Sequence, residues 1–477
     1  VTLLSELSEL IGAEHVLDTP AANSPYNHDS ANRRGVRGHA DAVALPGSAQ
    51  GVADVVAWCY EHDVAIVPRG GGTGLLGGAV AIDGGVVLSL QRLRAVRELE
   101  PGLWRMFVEA GMSTRDVQRL ARENGLMFAP DPGAAEQSQI GGNVATNAGG
   151  PHALKYGVTG AWVAGMEVVL APGELVQVGG WAAKDVAGYD LKSLLIGSEG
   201  TLGVITAVRL RLLPAPEAAI ALVVFLATRE QGCAAMCSVL AAGLRLSVLD
   251  FMDGETLRMT AGAYPGEVPA EAGFALICEV DGSQAEAAAQ RDALLELMGD
   301  SPPAGAVAID QPRDAKALWR WRDGANPAVT AVRGAKRSED VVFPLERMAE
   351  GLERFERIAS AHGLRSCAWG HGGEGNVHAT VLVDPANDAE LDAAEAAGEQ
   401  LFALVVELGG SVAGEHGVGW SKRGRLASQW DAKALELHEQ IKHVFDPKGL
   451  LNPGKKLARY PARSLGTTPG TSPGRAT

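Results

Sequence analysis

The chain has 477 residues, 46% of them hydrophobic and 21% charged, and carries a formal net charge of −15 from 42 basic and 57 acidic side chains. That length asks for two or three domains with ample cores, and an acidic balance without a long basic patch argues against nucleic acid as a partner. Five cysteines, an odd number with no run of Cys-x-x-Cys, fit a reducing cytosol better than a disulfide framework or a resident iron–sulfur cluster.

The N-terminus, Val1-Thr-Leu-Leu-Ser-Glu-Leu, is amphipathic and acidic, unlike a signal peptide. No later apolar run approaches the length needed to span a bilayer. A soluble cytoplasmic protein is expected, with peripheral membrane docking left open. Gln50 to Glu61 reads as an amphipathic helix, and Ala65-Ile-Val-Pro-Arg as a short buried strand running into glycines. Val86 to Leu90 and Arg105 to Ala110 read as strands, and Ser113 opens a helix to Asn124 with Asp116 in its first turn. The stretch from Gly165 to Leu213 is rich in strands, until Pro214 and Pro216 mark a boundary.

Beyond it, strands at Ala219 to Leu226, Phe274 to Val280 and Ala306 to Ile309 alternate with helices at Arg229 to Ala242 and Gln284 to Met298. This alternation predicts a separate α+β domain with an antiparallel sheet. Helices follow at Leu345 to His362, Asp388 to Leu408 and Lys433 to Phe445. The expected divisions are an N-terminal helical segment (1–35), a first domain (36–215), a second domain (216–457) and a disordered Pro/Gly/Ser/Thr-rich tail (458–477).

Three glycine-rich loops fall in the first domain. Val67-Pro-Arg-Gly-Gly-Gly-Thr-Gly-Leu follows a strand and leaves Thr73 as the one side chain between Gly70 and Gly74, so successive backbone N–H groups can surround an anion. It is neither a Walker loop nor the dinucleotide fingerprint. Pro130-Asp-Pro-Gly continues through Ser138 to Gly141-Gly-Asn-Val-Ala-Thr-Asn, and Gly188-Tyr-Asp-Leu leads to Ile196-Gly-Ser-Glu-Gly-Thr-Leu-Gly. Each alone could be a plain turn; together they suggest a large diphosphate cofactor threaded along a crevice.

In the second domain, Gly370-His-Gly-Gly-Glu-Gly-Asn-Val-His378 and Gly414-Glu-His-Gly417 gather three imidazoles and two carboxylates among glycines. Neutral imidazoles and carboxylates suit a borderline divalent metal, and an extra histidine can move a proton. One such histidine would be an ordinary polar residue, whereas His371, His378 and His416 with Glu415 read as an active site.

The ordered loop motifs resemble the vanillyl-alcohol-oxidase (PCMH-type) FAD domain. Within that group the chain is most similar to the FAD-linked D-2-hydroxyacid dehydrogenases, from about Tyr26 to Lys456. The resemblance implies an FAD-binding domain followed by an α+β substrate (cap) domain and a C-terminal helical segment. It implies FAD contacts from Pro68, Arg69, Gly70, Gly71, Gly72, Thr73 and Gly74, then Pro130, Asp131, Ser138, Gly142, Asn143, Thr146, Glu199, Gly200 and Ile205. Asn452, in Leu-Leu-Asn-Pro-Gly, is implied near the flavin ring. No histidine stands at the usual attachment position in the first loop, so FAD is expected to be noncovalent. His371, His378 and Glu415 are implied as ligands of a divalent ion, zinc first, with His416 as base. Glu374 stands where the family usually has aspartate and is left out of the ligand set.

The chemistry fits these residues. A 2-hydroxy acid must lose a hydroxyl proton and a hydride from C2, which a metal, a general base and a flavin can divide between them. Arg322, in Trp319-Arg-Trp-Arg, matches a carboxylate-binding arginine of relatives and has the planar fork for it; a surface salt bridge is the alternative. Lys336 is a second substrate candidate, at the distal end of larger substrates. The expected activity is oxidation of D-lactate, glycolate or D-2-hydroxyglutarate, with electrons passing to a quinone, a cytochrome or a flavoprotein, in a chain that could pair as a homodimer. The alternatives are a non-redox transferase resembling alkyl-dihydroxyacetone-phosphate synthase, a noncatalytic flavin subunit, and an oxidase using oxygen.

Overall fold

A computed structural model describes residues 3–299 and 306–457. The N-terminal half is built on two sheets. In the first, Ala42–Ala44, Val86–Ser89 and Ile66–Arg69 run parallel, with Val16–Leu17 antiparallel at one edge. The second is antiparallel, in the order Val96–Glu100, Arg105–Glu109, Val204–Arg211, Val163–Leu170 and Glu174–Gly179. Helix Ala49–Glu61 starts where expected because Ser48 Oγ accepts from the Gly51 N–H. Its Val52, Val55 and Val56 enter one apolar core with strands from both sheets. Helix Thr114–Glu123 is capped in the same way by Ser113, whose side chain accepts from the Asp116 N–H.

The second half holds a seven-stranded antiparallel sheet, in agreement with the expected α+β arrangement. Its order is Ala308–Asp310, Ala218–Leu226, Phe274–Gly282, Val248–Asp253, Arg365–Gly370, Asn376–Val383 and Ala335–Val342. Helices Arg229–Ala241, Gln284–Gly299, Met348–Ala361 and Asp388–Glu407 bury one face. Helices Gly254–Thr260, Ala315–Asp323 and Ala325–Arg333 cover part of the other. Three of these strands escape the sequence reading: Val248–Asp253, Arg365–Gly370 and Ala335–Val342. The last reads Ala-Lys-Arg-Ser-Glu-Asp-Val-Val, too charged for an apolar alternation, because Glu339 pairs with Arg34 from the other half of the molecule at 2.6 Å.

The chain then returns to its beginning. Past helix Ala432–Phe445, the Ile66 N–H donates to Leu450 O (2.8 Å) and the Asn452 N–H to Ile66 O (2.7 Å), so the C-terminal segment extends the first sheet. Leu213–Pro214 pairs with Leu126–Met127, so strand structure continues through the proline expected to end it. The tail expected to be disordered lies outside the described residues. Among the described residues no helix is long and apolar enough to cross a membrane.

Candidate active site

The glycine loops converge as their sequence suggests. A Cβ at Gly71 would stand 2.0 Å from Gln137 O, and one at Gly70 would stand 3.5 Å from the Gly142 Cα. Backbone of the first loop is therefore laid directly on backbone of the second, an approach that only glycine permits at position 71. Gly200 packs on the ring of Pro68, and Ile205 is buried beneath.

Most polar side chains implied as cofactor contacts are engaged by the protein itself. The Arg69 guanidinium donates to the carbonyls of His28 (2.9 Å), Ala79 (3.2 Å) and Pro25 (3.2 Å). Asn143 donates to Thr114 Oγ1 at 2.6 Å, Thr114 Oγ1 lies 2.8 Å from Ser138 Oγ, and Thr146 donates to Gly142 O at 3.1 Å. Glu199 accepts from the N–H groups of Val418 and Gly419 (3.0 and 2.6 Å), and Asn452 Nδ2 donates to the carbonyls of Gly78 and Glu199 (2.8 and 2.7 Å). These side chains brace the loops.

The histidine motif sits on the second sheet. His371 follows strand Arg365–Gly370, and His378 lies on Asn376–Val383, paired in register with Asp340 of Ala335–Val342 and with Trp369. Glu415 and His416 come from the 411–420 loop. Glu415 Oε1 is the focus: Nε2 of His371, His378 and His416 lie 3.3, 3.5 and 3.7 Å from it. The rings of His378 and His416 stack, nearly parallel, with centroids 5.2 Å apart. His371 and His378 are buried, whereas 27% of the His416 side chain remains exposed, so His416 stands on the open side of the cluster.

Two carboxylates that sequence reading missed organise this cluster. Asp250, on Val248–Asp253, accepts from His371 Nδ1 (2.8 Å) and from Arg322 Nε (2.6 Å). Asp340 Oδ2 accepts from three successive N–H groups, those of Gly414 (2.9 Å), Glu415 (3.0 Å) and His416 (3.0 Å), while Oδ1 accepts from Asn376 Nδ2 at 2.7 Å. No local motif marks either acid; burial at 1% and 2% exposure is what sets them apart. Arg322, with 14% of its side chain exposed, packs on the buried Asp250, so the pair is not a surface one; its Nη2 lies 3.3 Å from His371 Nδ1.

Burial works against charge throughout, and at Asp250, His371 and Glu415 the partners overcome it. Asp250 is held below the usual carboxylate range by Arg322 and His371. His371, between Asp250 and Glu415, is pushed up to about 10, and Glu415 is held down at about 2 by its histidine neighbours. His378 is lowered to about 3 by burial and by His416. Two acids flanking one imidazole call for positive charge at that point, and a divalent ion would supply it.

The donor set fits such an ion. Ligands around a tetrahedral zinc at about 2.0–2.1 Å lie about 3.3 Å apart, close to the 3.3 and 3.5 Å separations from Glu415 Oε1 to the two buried histidines. With an ion bound, His371 would keep its Nδ1–H on Asp250 and turn the Nε2 lone pair to the ion, the usual carboxylate–histidine support of a metal ligand. Glu374 is exposed and is not part of this set. The cofactor loops touch the cluster directly, since a Cβ at Gly149 would lie 2.9 Å from Glu415 Oε2. A separate cleft of about 480 Å³ lies at Arg229, Asp253 and Arg365, where Arg229 is already paired with Glu356 and Arg365 with Glu255. It contains none of these groups.

Residues 40–179 match the FAD binding domain family, and residues 215–456 match the C-terminal domain of FAD linked oxidases. The chain belongs to the FAD-linked oxidase family. Among curated relatives it is 33% identical to glycolate oxidase subunit GlcD of Bacillus subtilis (strain 168), over 95% of this chain and 96% of that protein. It is 33% identical to D-lactate dehydrogenase of Anaerostipes hadrus (93% and 95% covered) and 35% identical to D-2-hydroxyglutarate dehydrogenase of Xanthomonas citri pv. viticola (88% and 90%). Among solved structures, p-cresol methylhydroxylase superposes with a TM-score of 0.79 at 17% identity, covering 95% of this chain and 96% of that one. Alkyldihydroxyacetonephosphate synthase superposes at 0.73 and 17%, covering 94% and 85%. At such identities these two likenesses establish the PCMH-type fold and nothing about the reaction.

Proposed function

We propose that this protein oxidises a D-2-hydroxy acid to the 2-oxo acid, using noncovalent FAD and a divalent ion, zinc first, held by His371, His378 and Glu415. The observation that carries the reading is the convergence of three imidazole Nε2 atoms on one Glu415 oxygen beside the glycine cradle. The relatives named for glycolate, D-lactate and D-2-hydroxyglutarate support the substrate class. When bound, the ion would acidify the substrate hydroxyl and FAD would accept the C2 hydride.

The chain's own groups divide the remaining work. Arg322, fixed by Asp250, presents its fork to the substrate carboxylate. His416, on the open side of the cluster, takes the hydroxyl proton; loss of that proton and of the C2 hydride leaves the 2-oxo group. Lys336 lies with Nζ 4.3 Å over the Trp369 ring, whose edge meets His378, and burial lowers it to about 8. A half-buried cation suits a second anionic group, as in a 2-hydroxy dicarboxylate. The electron acceptor in this reading is a quinone, a cytochrome or a second flavoprotein.

Anaerobic mixing of the FAD-loaded protein with D-lactate, glycolate and D-2-hydroxyglutarate should bleach the flavin with at least one of them. His416→Ala is expected to slow that bleaching by about 10²–10⁴-fold with FAD retained. No bleaching with any 2-hydroxy acid would sink the proposal, and undiminished reduction in His416→Ala would remove it as the base.

A further inference from the structure

Outside the metal cluster, one imidazole joins the two halves of the molecule. His152 Nδ1 lies 2.6 Å from Asp131 Oδ2 in the cofactor-loop segment, and Nε2 lies 3.0 Å from Glu279 Oε1 on the central cap strand Phe274–Gly282. A neutral imidazole has one N–H, so it could satisfy only one of these carboxylates and would turn a lone pair on the other. The contacts therefore define an imidazolium. Burial opposes the charge, but Asp131 and Glu279 outweigh it and push the ring up to about 11. With both nitrogens donating, His152 has no lone pair for a substrate proton.

Both ends of this contact are fixed. Asp131 also accepts from the His152 N–H (3.3 Å), and the backbone at Gly150 folds tightly around it, with φ +144. Glu279 accepts in addition from Ser247 Oγ (3.1 Å) and from Trp319 Nε1 (3.2 Å). Trp319 lies on helix Ala315–Asp323, one turn before Arg322. On the other side, His152 is three residues from Gly149, whose backbone abuts Glu415. A continuous chain of charged and hydrogen-bonded contacts thus runs from Asp131 through His152 and Glu279 to the helix that carries Arg322.

We propose that His152 is a positioning residue, an ionic latch that keeps the cofactor-loop segment around Asp131 and Gly149 in register with the cap helix bearing Arg322. The consequence for catalysis rests on the reading of the site given above. A second tie makes the latch separable from folding: Tyr156 donates to Asp281 Oδ2 at 2.7 Å, and Lys155 donates to Asp281 O at 3.0 Å. The halves stay docked without His152, but less closely registered. Arginine, with several N–H groups in one planar fork, can serve both carboxylates at once.

The test compares His152→Ala and His152→Arg with the parent protein in two measurements. The first needs no substrate: FAD affinity, read from flavin fluorescence as apoprotein is reconstituted, should weaken severalfold in His152→Ala and return in His152→Arg. The second is anaerobic flavin reduction over a range of 2-hydroxy acid concentrations. Its limiting rate should fall by about 10²-fold in His152→Ala, as misregistered reactive groups do. The half-saturating concentration should change little, and arginine should restore most of the rate. Parent-like FAD affinity and limiting rate in His152→Ala would overturn the latch, as would defects that arginine does not rescue. If no 2-hydroxy acid reduces the parent flavin, the catalytic reading fails, and the FAD affinities alone still decide whether the latch exists.

Discussion

Asp340→Ala is expected to disable the site and destabilise the cap together. One carboxylate oxygen holds the N–H groups of residues 414, 415 and 416, the segment that carries Glu415 and the proposed base His416. Alanine would leave these donors and the Asn376 amide facing a buried void. Leaving such groups unmatched costs about 3–5 kcal/mol in total, which for a domain of roughly 240 residues lowers its melting temperature by about 6–20 °C. Asp340→Asn separates shape from charge. It keeps an oxygen for the three N–H groups, and Asn376, whose Oδ1 is buried without a partner, can turn to accept the new amide. Its stability loss should be smaller, about 1–2 kcal/mol, while flavin reduction stays impaired because His416 Nδ1 loses the anion 4.0 Å away.

The pH dependence has a defined sign. Burial opposes ionisation of Asp340, but His416 and Lys422 hold it far below the usual carboxylate range. Its contribution is therefore complete above the unfolded value of about 3.9 and is lost progressively as pH falls toward the folded one. The stability gap between the parent and Asp340→Asn should be flat from pH 8 to about 4 and shrink below that. Asp340→Ala melting with the parent, or a gap that widens in acid, would refute this account.

What the sequence discloses here depends on whether a group's partners are local. The helix start at Ser113 is legible because its cap bonds an N–H three residues on. His371, His378, Glu415 and His416 are legible as a group because glycines crowd two short motifs, although only the fold brings Glu415 between the histidines. Asp250 and Asp340 are single acids in strands with no motif of their own, and their partners come from distant segments. The same distance effect hides the protein partners of Arg69 and Glu199, whose side chains are engaged by residues 25–28 and 418–419. A loop that must present its backbone to a ligand needs bracing from behind, and the bracing side chains sit in the same short motif as the glycines.

The second large effect is expected at Asp250, where stability and catalysis can be separated. Its carboxylate holds the partly buried Arg322 guanidinium on one oxygen and the His371 ring on the other. In Asp250→Leu, Arg322 loses its buried carboxylate, keeping only its 3.5 Å contact with Asp323, and His371 loses the acceptor that fixes its tautomer. The first loss should cost about 3–5 kcal/mol. The second should weaken metal binding by about 10–100-fold, measurable on the purified protein by competition with a chromogenic chelator. Adding Arg322→Met removes that charge, and apolar replacement of a whole buried pair is often close to neutral. The double variant should therefore melt above either single variant, a coupling that independent sites would not produce. Its flavin reduction should not recover, since the substrate carboxylate has lost its guanidinium and His371 its support. Additive losses in melting temperature would mean that Asp250 and Arg322 do not act as a pair, and recovered turnover in the double variant would remove both from the catalytic site.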